Sequence, residues 1–176
     1  GRNKTAIEDH FDHSFELEET LLAKGKAAAL ETVRGMIHEP GTVAYVRQQE
    51  PAGLGHAVWC ARHLIHDEPV AVLLADDLIL GSSCLAEMVA SYQGGNMVAV
   101  MDVLKSETGS YGIITPGADN GQLVEVSGLV EKPDPANAPS TIGVVGRYII
   151  EAGVFAQLGN QERGAGNEVQ LTDALA

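Results

Sequence analysis

The sequence predicts an α/β protein with a mostly parallel sheet. The first observation is a run of six apolar residues, 70–75, which ends in Asp76 and Asp77. A continuous run rich in Val and Leu is typical of a strand that is buried on both faces of a parallel sheet. The second observation is the alternation of strand, helix, strand, helix and strand patterns between residues 42 and 103. This alternation predicts parallel strands that are covered by helices.

Composition and charge limit the classes of partner. The chain has 176 residues and 45% apolar residues, which predicts a single domain over residues 1–176. Its formal net charge of −13 repels phosphate backbones, so nucleic acid and anionic membranes are not expected as partners. No apolar run approaches the roughly 20 residues of a membrane-spanning helix. Cys60 and Cys84 lack the spacing of a metal site, and two free thiols predict a cytoplasmic protein.

The first part of the chain predicts two helices followed by a strand. Residues 5–8 match a capping box, which predicts a short helix that begins near Ala6. An amphipathic pattern then predicts a longer helix from about Ser14 to Met36. Residues 42–48 alternate loosely and contain β-branched residues, so they predict the first strand.

A glycine-containing loop, residues 49–56, separates this strand from a helix. Gly53 and Gly55 let backbone N–H groups approach a ligand closely, and the start of the following helix favours anions. A tight turn between a strand and a helix requires the same glycines. The loop therefore predicts either an anion site or a purely structural turn.

The rest of the chain predicts alternating strands, turns and helices. Gly94 and Gly95 end the helix that follows the central strand. Pro133, Pro135 and Pro139 predict an extended loop before the last strand. The strands predicted after the central one are 96–103, 111–115, 122–132 and 143–150, and the helices are 82–93, 151–158 and 167–176.

Asp76 and Asp77 follow the central strand directly. Ligands of open α/β sheets bind beyond the carboxyl ends of the strands. Carboxylate oxygens at such a position suit Mg²⁺, which proteins commonly bind together with the phosphates of a substrate. The pair predicts a site for a metal ion and a polar ligand. The alternative is a solvated turn, where Asp is common.

Glu131 and Lys132 end another predicted strand in the same way. In an acidic protein, a lysine at a strand end suits a phosphate group, and the neighbouring carboxylate is a hydrogen-bond acceptor. Gly112 begins the preceding strand, where a glycine allows close approach to the backbone. The alternative is a surface ion pair that contributes about 0–1 kcal/mol.

Taken in chain order, these segments resemble a known family. The motifs are AIEDHFD (6–12), RQQEPAGLGHA (47–57), VLLADDL (72–78), YGI (111–113), VEKP (130–133), GRYII (146–150) and QLTDAL (170–175). Their order and approximate spacing closely resemble the bacterial UTP–glucose-1-phosphate uridylyltransferases, which are sugar nucleotidyltransferases. The resemblance covers essentially the whole chain.

This resemblance implies a fold and a reaction. The fold is a Rossmann-like nucleotidyltransferase α/β/α sandwich with a mixed, mostly parallel sheet. The reaction joins UTP and glucose 1-phosphate to give UDP-glucose and pyrophosphate, by in-line attack of the sugar phosphate on the α-phosphorus. The family also implies Mg²⁺ as the cofactor, small-molecule substrates and a homo-oligomer.

The resemblance also implies roles for individual residues. It implies that Gln48 and the backbone of Gly53 bind uracil. The resemblance implies that Asp76 is the Mg²⁺ ligand and that Lys132 neutralises the sugar phosphate. Both are implied as catalytic residues. The residues implied for the hexose pocket are Asp77, Gly112, Glu131, Gly146 and Tyr148.

The same resemblance predicts a partial domain with an incomplete sheet. The family has a glycine-rich G-x-G-T-R phosphate loop before the segment that matches this chain, and a second metal-binding aspartate after it. Two other classes of function stay open. One is a truncated, non-catalytic module for sugar-nucleotide binding or oligomerisation, and the other is a metal-dependent hydrolase that uses Asp76 and Asp77.

Overall fold

The computed structural model describes residues 5–176, apart from the side chain of residue 165. The described residues form two compact units, which divide between residues 49 and 50. The helices are α1 (Thr5–His10), α2 (Phe15–Ala23), α3 (Ala27–Arg34), α4 (Leu54–Cys60), α5 (Cys84–Ser91) and α6 (Gly153–Asn160). The strands are β1 (Val70–Leu73), β2 (Met97–Asp102), β3 (Gly112–Asp119), β4 (Val124–Glu131) and β5 (Ile142–Ile150). None of the helices in the described part of the chain is long and apolar enough to cross a membrane.

The first unit contains α1, α2 and α3. The helix predicted over residues 14–36 is interrupted between α2 and α3, where Gly25 adopts a left-handed conformation with φ of 62°. Glu18 of α2 is buried and accepts a hydrogen bond of 2.7 Å from Arg34 Nε of α3. This hydrogen bond, with a second one to His13, lowers the pKa of Glu18 from its usual value. The ion pair therefore ties α2 to α3.

Residues 42–48 form no strand, so that prediction was wrong. Val43, Tyr45 and Val46 are exposed, and none of the described strands pairs with this segment. A β-branched pattern becomes a strand only where a neighbouring strand satisfies its backbone N–H and C=O groups.

The second unit is built on a five-stranded sheet with β5 at its centre. Ile149 of β5 pairs with both Ala71 of β1 and Met97 of β2, so these two strands lie on opposite edges of β5. Gly143 of β5 pairs with Ile113 of β3, and β4 pairs with β3. All pairs that the described residues form are antiparallel.

The α/β class is confirmed, whereas the strand pairs differ from the mostly parallel pairing that was predicted. β1 and β2 run in the same direction, as the strand–helix–strand alternation predicts, because both are antiparallel to β5. However, β5 lies between them. Because β5 comes from much later in the chain, the local alternation of elements contains no sign of it.

The apolar core of the second unit lies between the sheet and α6. Ile150 of β5 is fully buried, and Leu171 is 1% exposed. From β1, Val70 and Val72 pack against this core, whereas Leu73 is 50% exposed. The prediction that β1 is buried on both faces is therefore wrong. Among the described residues, only one face of β1 contacts the core.

The β3–β4 hairpin is longer than the sequence predicted. β3 continues through Pro116 to Asp119, and register shifts on both sides of Pro116 accommodate the missing N–H group. The turn falls after Asp119, where Gly121 has φ of 88° and Asn120 N donates to Leu123 O.

The helix predicted over residues 167–176 is replaced by an extended segment and a short 3₁₀ turn, Thr172–Ala174. Val169 N donates to Ala52 O at 2.8 Å, and Gly55 N donates to Val169 O at 2.9 Å. A residue inside an α-helix uses these same groups within the helix. Pairing with the loop before α4 therefore replaces the helix at this position.

Candidate functional site

The loop after β1 carries Asp76 and Asp77 and is hydrogen-bonded to β5. Leu74 N donates to Gly146 O at 2.8 Å, which extends the pairing of β1 with β5 by one residue. Gly146 N donates to Asp77 Oδ2 at 2.9 Å, so this carboxylate is held against β5. Asp76 is exposed, and its carboxylate makes no hydrogen bond or ion pair with the rest of residues 5–176. Asp77 therefore has a protein partner, and Asp76 is available to a ligand.

Gly146 lies where β5 meets this loop and has no room for a side chain. A Cβ atom there would overlap Asp77 Oδ2 and would lie 2.6 Å from Leu74 Cβ. We expect Gly146→Ala to lower the free energy of unfolding by about 1–3 kcal/mol, because the loop must move to relieve the overlap. Chemical denaturation of the two proteins measures this difference.

The matched control is Gly153→Ala in α6. A Cβ atom at Gly153 would meet nothing within 4 Å, so this variant should retain the stability of the unsubstituted chain. An equal loss of stability in the two variants would contradict the proposed overlap at Gly146.

Glu131 and Lys132 lie at the end of β4, with different exposure. The Glu131 side chain is 12% exposed, and the Lys132 side chain is 55% exposed. Thr172 Oγ1 donates to Glu131 Oε2 at 2.9 Å, and Lys132 Nζ lies 3.6 Å from Glu131 Oε1. The carboxylate is thus fixed, while the ammonium group stays accessible to an anion.

The backbone of Lys132 is left-handed, with φ of 46°. Its N–H group donates to Tyr111 O at 3.0 Å, which anchors the residue beside the start of β3. A left-handed conformation costs an L-residue with a side chain about 1–2 kcal/mol. Strain of this kind is enriched at functional sites, where the surrounding structure maintains it.

Gly112 begins β3 directly opposite Glu131. A Cβ atom at Gly112 would lie 3.0 Å from Thr172 Cγ2 and 3.2 Å from Glu131 Oε2. Both atoms belong to the residues that form the hydrogen bond described above. The glycine therefore leaves the space in which Thr172 holds the Glu131 carboxylate.

Tyr148 of β5 lies close enough to Glu131 and Asp77 to be affected by both charges. Its side chain is buried, and burial raises the pKa of Tyr148 to about 12, with smaller contributions from the charges of Glu131 and Asp77. The phenol is therefore neutral at physiological pH and keeps its proton. A neutral phenol near two carboxylates provides a hydrogen-bond donor beside two acceptors.

The residues present fit a particular kind of Mg²⁺ site. Within residues 5–176, no group of three or more His, Cys, Asp or Glu side chains is arranged to hold a metal ion. Mg²⁺ is commonly bound by one or two carboxylates, with substrate phosphates and water as the other ligands. The exposed carboxylate of Asp76 fits a site that a phosphate-bearing substrate completes.

Most of the predicted site residues come together in the second unit, namely Asp76, Asp77, Gly112, Glu131, Lys132, Gly146 and Tyr148. Gly53 lies in the same unit, before α4. Its φ is 105°, and a Cβ atom would lie 2.6 Å from Val169 O, so a tight packing role is clear for this glycine. Gln48 belongs to the first unit, and its contact with uracil stays a prediction.

Sequence reasoning assigned no role to Arg147 or Thr172. Arg147 donates to carbonyl groups of the loop after β1, and Thr172 holds Glu131. The available signal for Arg147 was a charged residue inside the apolar strand VVGRYII. Thr172 offered only a hydroxyl group in the QLTDAL motif, which does not reveal its partner.

Comparison with known proteins gives one family. A family model described as nucleotidyl transferase matches residues 10–176. The UTP–glucose-1-phosphate uridylyltransferase of Komagataeibacter xylinus is 49% identical over 99% of this chain and 63% of its own length. The UTP–glucose-1-phosphate uridylyltransferase YngB of Bacillus subtilis is 48% identical over 99% of this chain and 60% of its own length.

Solved structures have the same fold. UDP-glucose pyrophosphorylase complexed with UDP-glucose matches with a TM-score of 0.86 and 38% identity, over 99% of this chain and 65% of that chain. The UTP-bound enzyme of Acinetobacter baumannii matches with a TM-score of 0.83 and 36% identity, over 99% of this chain and 62% of that chain.

These matches confirm the predicted resemblance to uridylyltransferases and the predicted nucleotidyltransferase fold. The chain spans about three fifths of the length of the curated relatives that it matches. Because the family model extends over nearly all of the sequence, the chain belongs to the nucleotidyl transferase family.

Proposed function

We propose that this chain contributes to an enzyme that forms UDP-glucose and pyrophosphate from UTP and glucose 1-phosphate. The names of its relatives and the ligands of its structural neighbours support this reaction. The observation that carries the proposal is the cluster of Glu131, Asp77 and neutral Tyr148, which lies beside the accessible Lys132. Release of pyrophosphate from UTP tests the reaction. It should require glucose 1-phosphate, and release without the sugar phosphate would contradict the proposal.

A hexose suits the chemistry of this cluster. Its hydroxyl groups need both acceptors and donors of hydrogen bonds. Glu131 and Asp77 provide acceptor oxygens, and Oδ1 of Asp77 remains after Oδ2 has bound the N–H group of Gly146. Tyr148 provides a donor. Gly112 and Gly146 leave the space that these two carboxylates occupy, so both glycines shape the cluster by holding Glu131 and Asp77 close to the backbone.

A sugar 1-phosphate places its charge near Lys132. In-line phosphoryl and nucleotidyl transfer depends mainly on positioning and on stabilising negative charge. Lys132 would bind the attacking phosphate, while the hexose contacts fix its direction. Asp76 would hold Mg²⁺, which, when bound, neutralises charge on the phosphate oxygens.

Uracil recognition is proposed for Gln48 and the backbone of Gly53. A glutamine amide offers one acceptor and two donors, which match the imide edge of uracil. We expect Gln48→Ala to weaken UTP binding about tenfold, since a hydrogen-bonded pair contributes about 1 kcal/mol or more. ATP binding should not change. Competition of UTP and ATP against a fluorescent nucleotide measures both affinities.

The adjacent, exposed Gln49 provides the control for this substitution. Gln49→Ala should retain both affinities. Equal affinity of the unsubstituted chain for UTP and ATP would contradict the assignment of uracil.

The same proposal extends to the domain, the oligomeric state and the cellular compartment of the protein. We propose that residues 1–176 form part of one nucleotidyltransferase domain, in a cytoplasmic homo-oligomer of carbohydrate metabolism. Cys60 and Cys84 are both free, as expected in a reducing compartment. Leu78 and Leu80 are 82% and 83% exposed, which supports contact with a further surface.

A further inference from the structure

Arg147 donates hydrogen bonds to both ends of the loop that carries Asp76. Its Nη2 atom donates to Asp77 O at 2.6 Å, and its Nη1 atom donates to Leu74 O at 2.8 Å. Nη1 also donates to Gly146 O at 2.9 Å, within β5. The guanidinium group therefore contacts the Leu74 carbonyl on one side of Asp76 and the Asp77 carbonyl on the other, and it joins both to β5.

These contacts are specific to arginine. The guanidinium group is planar and presents its N–H donors in a fixed fork, so two carbonyls bound to it are held at a fixed separation. A lysine ammonium is a compact charge on a flexible stem, and it does not impose this separation. Asp77 N donates to Leu74 O at 3.4 Å, which is a long hydrogen bond. The loop therefore depends largely on Arg147 and on the Asp77–Gly146 contact for its conformation.

We infer that Arg147 is a positioning residue, which fixes the loop of residues 74–77 so that the Asp76 carboxylate is preorganised for a phosphate-bound metal ion. This inference rests on the proposed function. The Asp76 side chain has no protein partner of its own among the described residues, so the backbone of the loop alone sets the direction in which this side chain leaves the chain. Groups that hydrogen-bond a metal ligand directly commonly change metal affinity by about 10- to 100-fold when they are removed. Arg147 acts through the backbone of the loop, so we expect an effect at the lower end of this range.

The test measures Mn²⁺ binding by electron paramagnetic resonance, in the presence of UDP-glucose, for four forms of the chain. They are the unsubstituted chain, Arg147→Lys, Asp76→Asn and Arg62→Lys. We expect Arg147→Lys to weaken Mn²⁺ binding about tenfold and to leave metal-free affinity for UDP-glucose unchanged. Arg62, which lies 3.5 Å from the centroid of the Trp59 ring, is the matched control and should change neither.

The outcomes separate this inference from the proposed function. Loss of Mn²⁺ binding in Asp76→Asn but not in Arg147→Lys would overturn the positioning role alone. Unchanged Mn²⁺ binding in Asp76→Asn would overturn the proposed metal ligand. An equal fall in metal-free UDP-glucose affinity in Arg147→Lys would reveal a general structural role and would also overturn the inference. Trp59 fluorescence during thermal unfolding identifies a variant that fails to fold, and Arg147→Gln then replaces Arg147→Lys.

Discussion

Asp76→Asn is expected to abolish the gain in UDP-glucose affinity that Mg²⁺ provides. Asparagine keeps the size of the side chain and removes its charge, which is the property that a hard cation requires. We expect affinity in the presence of Mg²⁺ to fall at least about tenfold, which corresponds to about 1.4 kcal/mol. Affinity without metal should stay the same. Calorimetric titration with and without Mg²⁺ measures the two values.

Asp102→Asn is the matched control. Asp102 is exposed and ends β2, but its partner Ile142 lies five residues along β5 from Arg147, the partner of Leu73. This separation corresponds to roughly 16 Å. Asp102→Asn should therefore keep the full effect of Mg²⁺. A Mg²⁺ effect that persists in Asp76→Asn, or that disappears in both variants, would contradict the role of Asp76.

Substitution of Lys132 is expected to separate binding from stability. Lys132→Ala and Lys132→Gly both remove the ammonium group, and each should lower affinity for glucose 1-phosphate at least about tenfold. Glycine adopts a left-handed φ without strain, so Lys132→Gly should keep the free energy of unfolding or raise it by up to about 1 kcal/mol. Lys132→Ala retains the strain. Titration with glucose 1-phosphate and chemical denaturation measure the two effects.

The exposed Lys105 serves as a control for the loss of one positive charge. Lys105→Ala should bind glucose 1-phosphate with unchanged affinity. If Lys132→Gly lost stability in proportion to its loss of affinity, Lys132 would be a structural residue, and its assignment to the sugar phosphate would be wrong.

The approximate ends of β1 and β4 were predictable because their signal is local. An apolar run that stops at Asp76-Asp77, and another segment that stops at Glu131-Lys132, each identify a strand end from neighbouring residues alone. The partners of those residues were not predictable. Arg147 acts on backbone carbonyls, which every residue carries, so nothing in the sequence identifies Leu74 and Asp77 as its acceptors.

The order of the strands in the sheet was not predictable from the sequence, for a related reason. The local alternation predicts correctly that β1 and β2 run in the same direction, but β5, the strand between them, begins about forty residues after the end of β2. Propensity also failed over residues 42–48, which have a strand-like composition but no strand partner among the described residues. Long-range pairing, rather than composition, decided both cases.

The most direct measurement is a calorimetric titration of UDP-glucose into this chain, with and without Mg²⁺, and with ADP-glucose as the control ligand. The proposed function predicts binding of UDP-glucose that Mg²⁺ strengthens, and weaker binding of ADP-glucose. Such a result would place a formed site for the sugar and uracil groups within these 176 residues. Absence of binding, or equal binding of the two sugar nucleotides without any effect of Mg²⁺, would contradict the central claim.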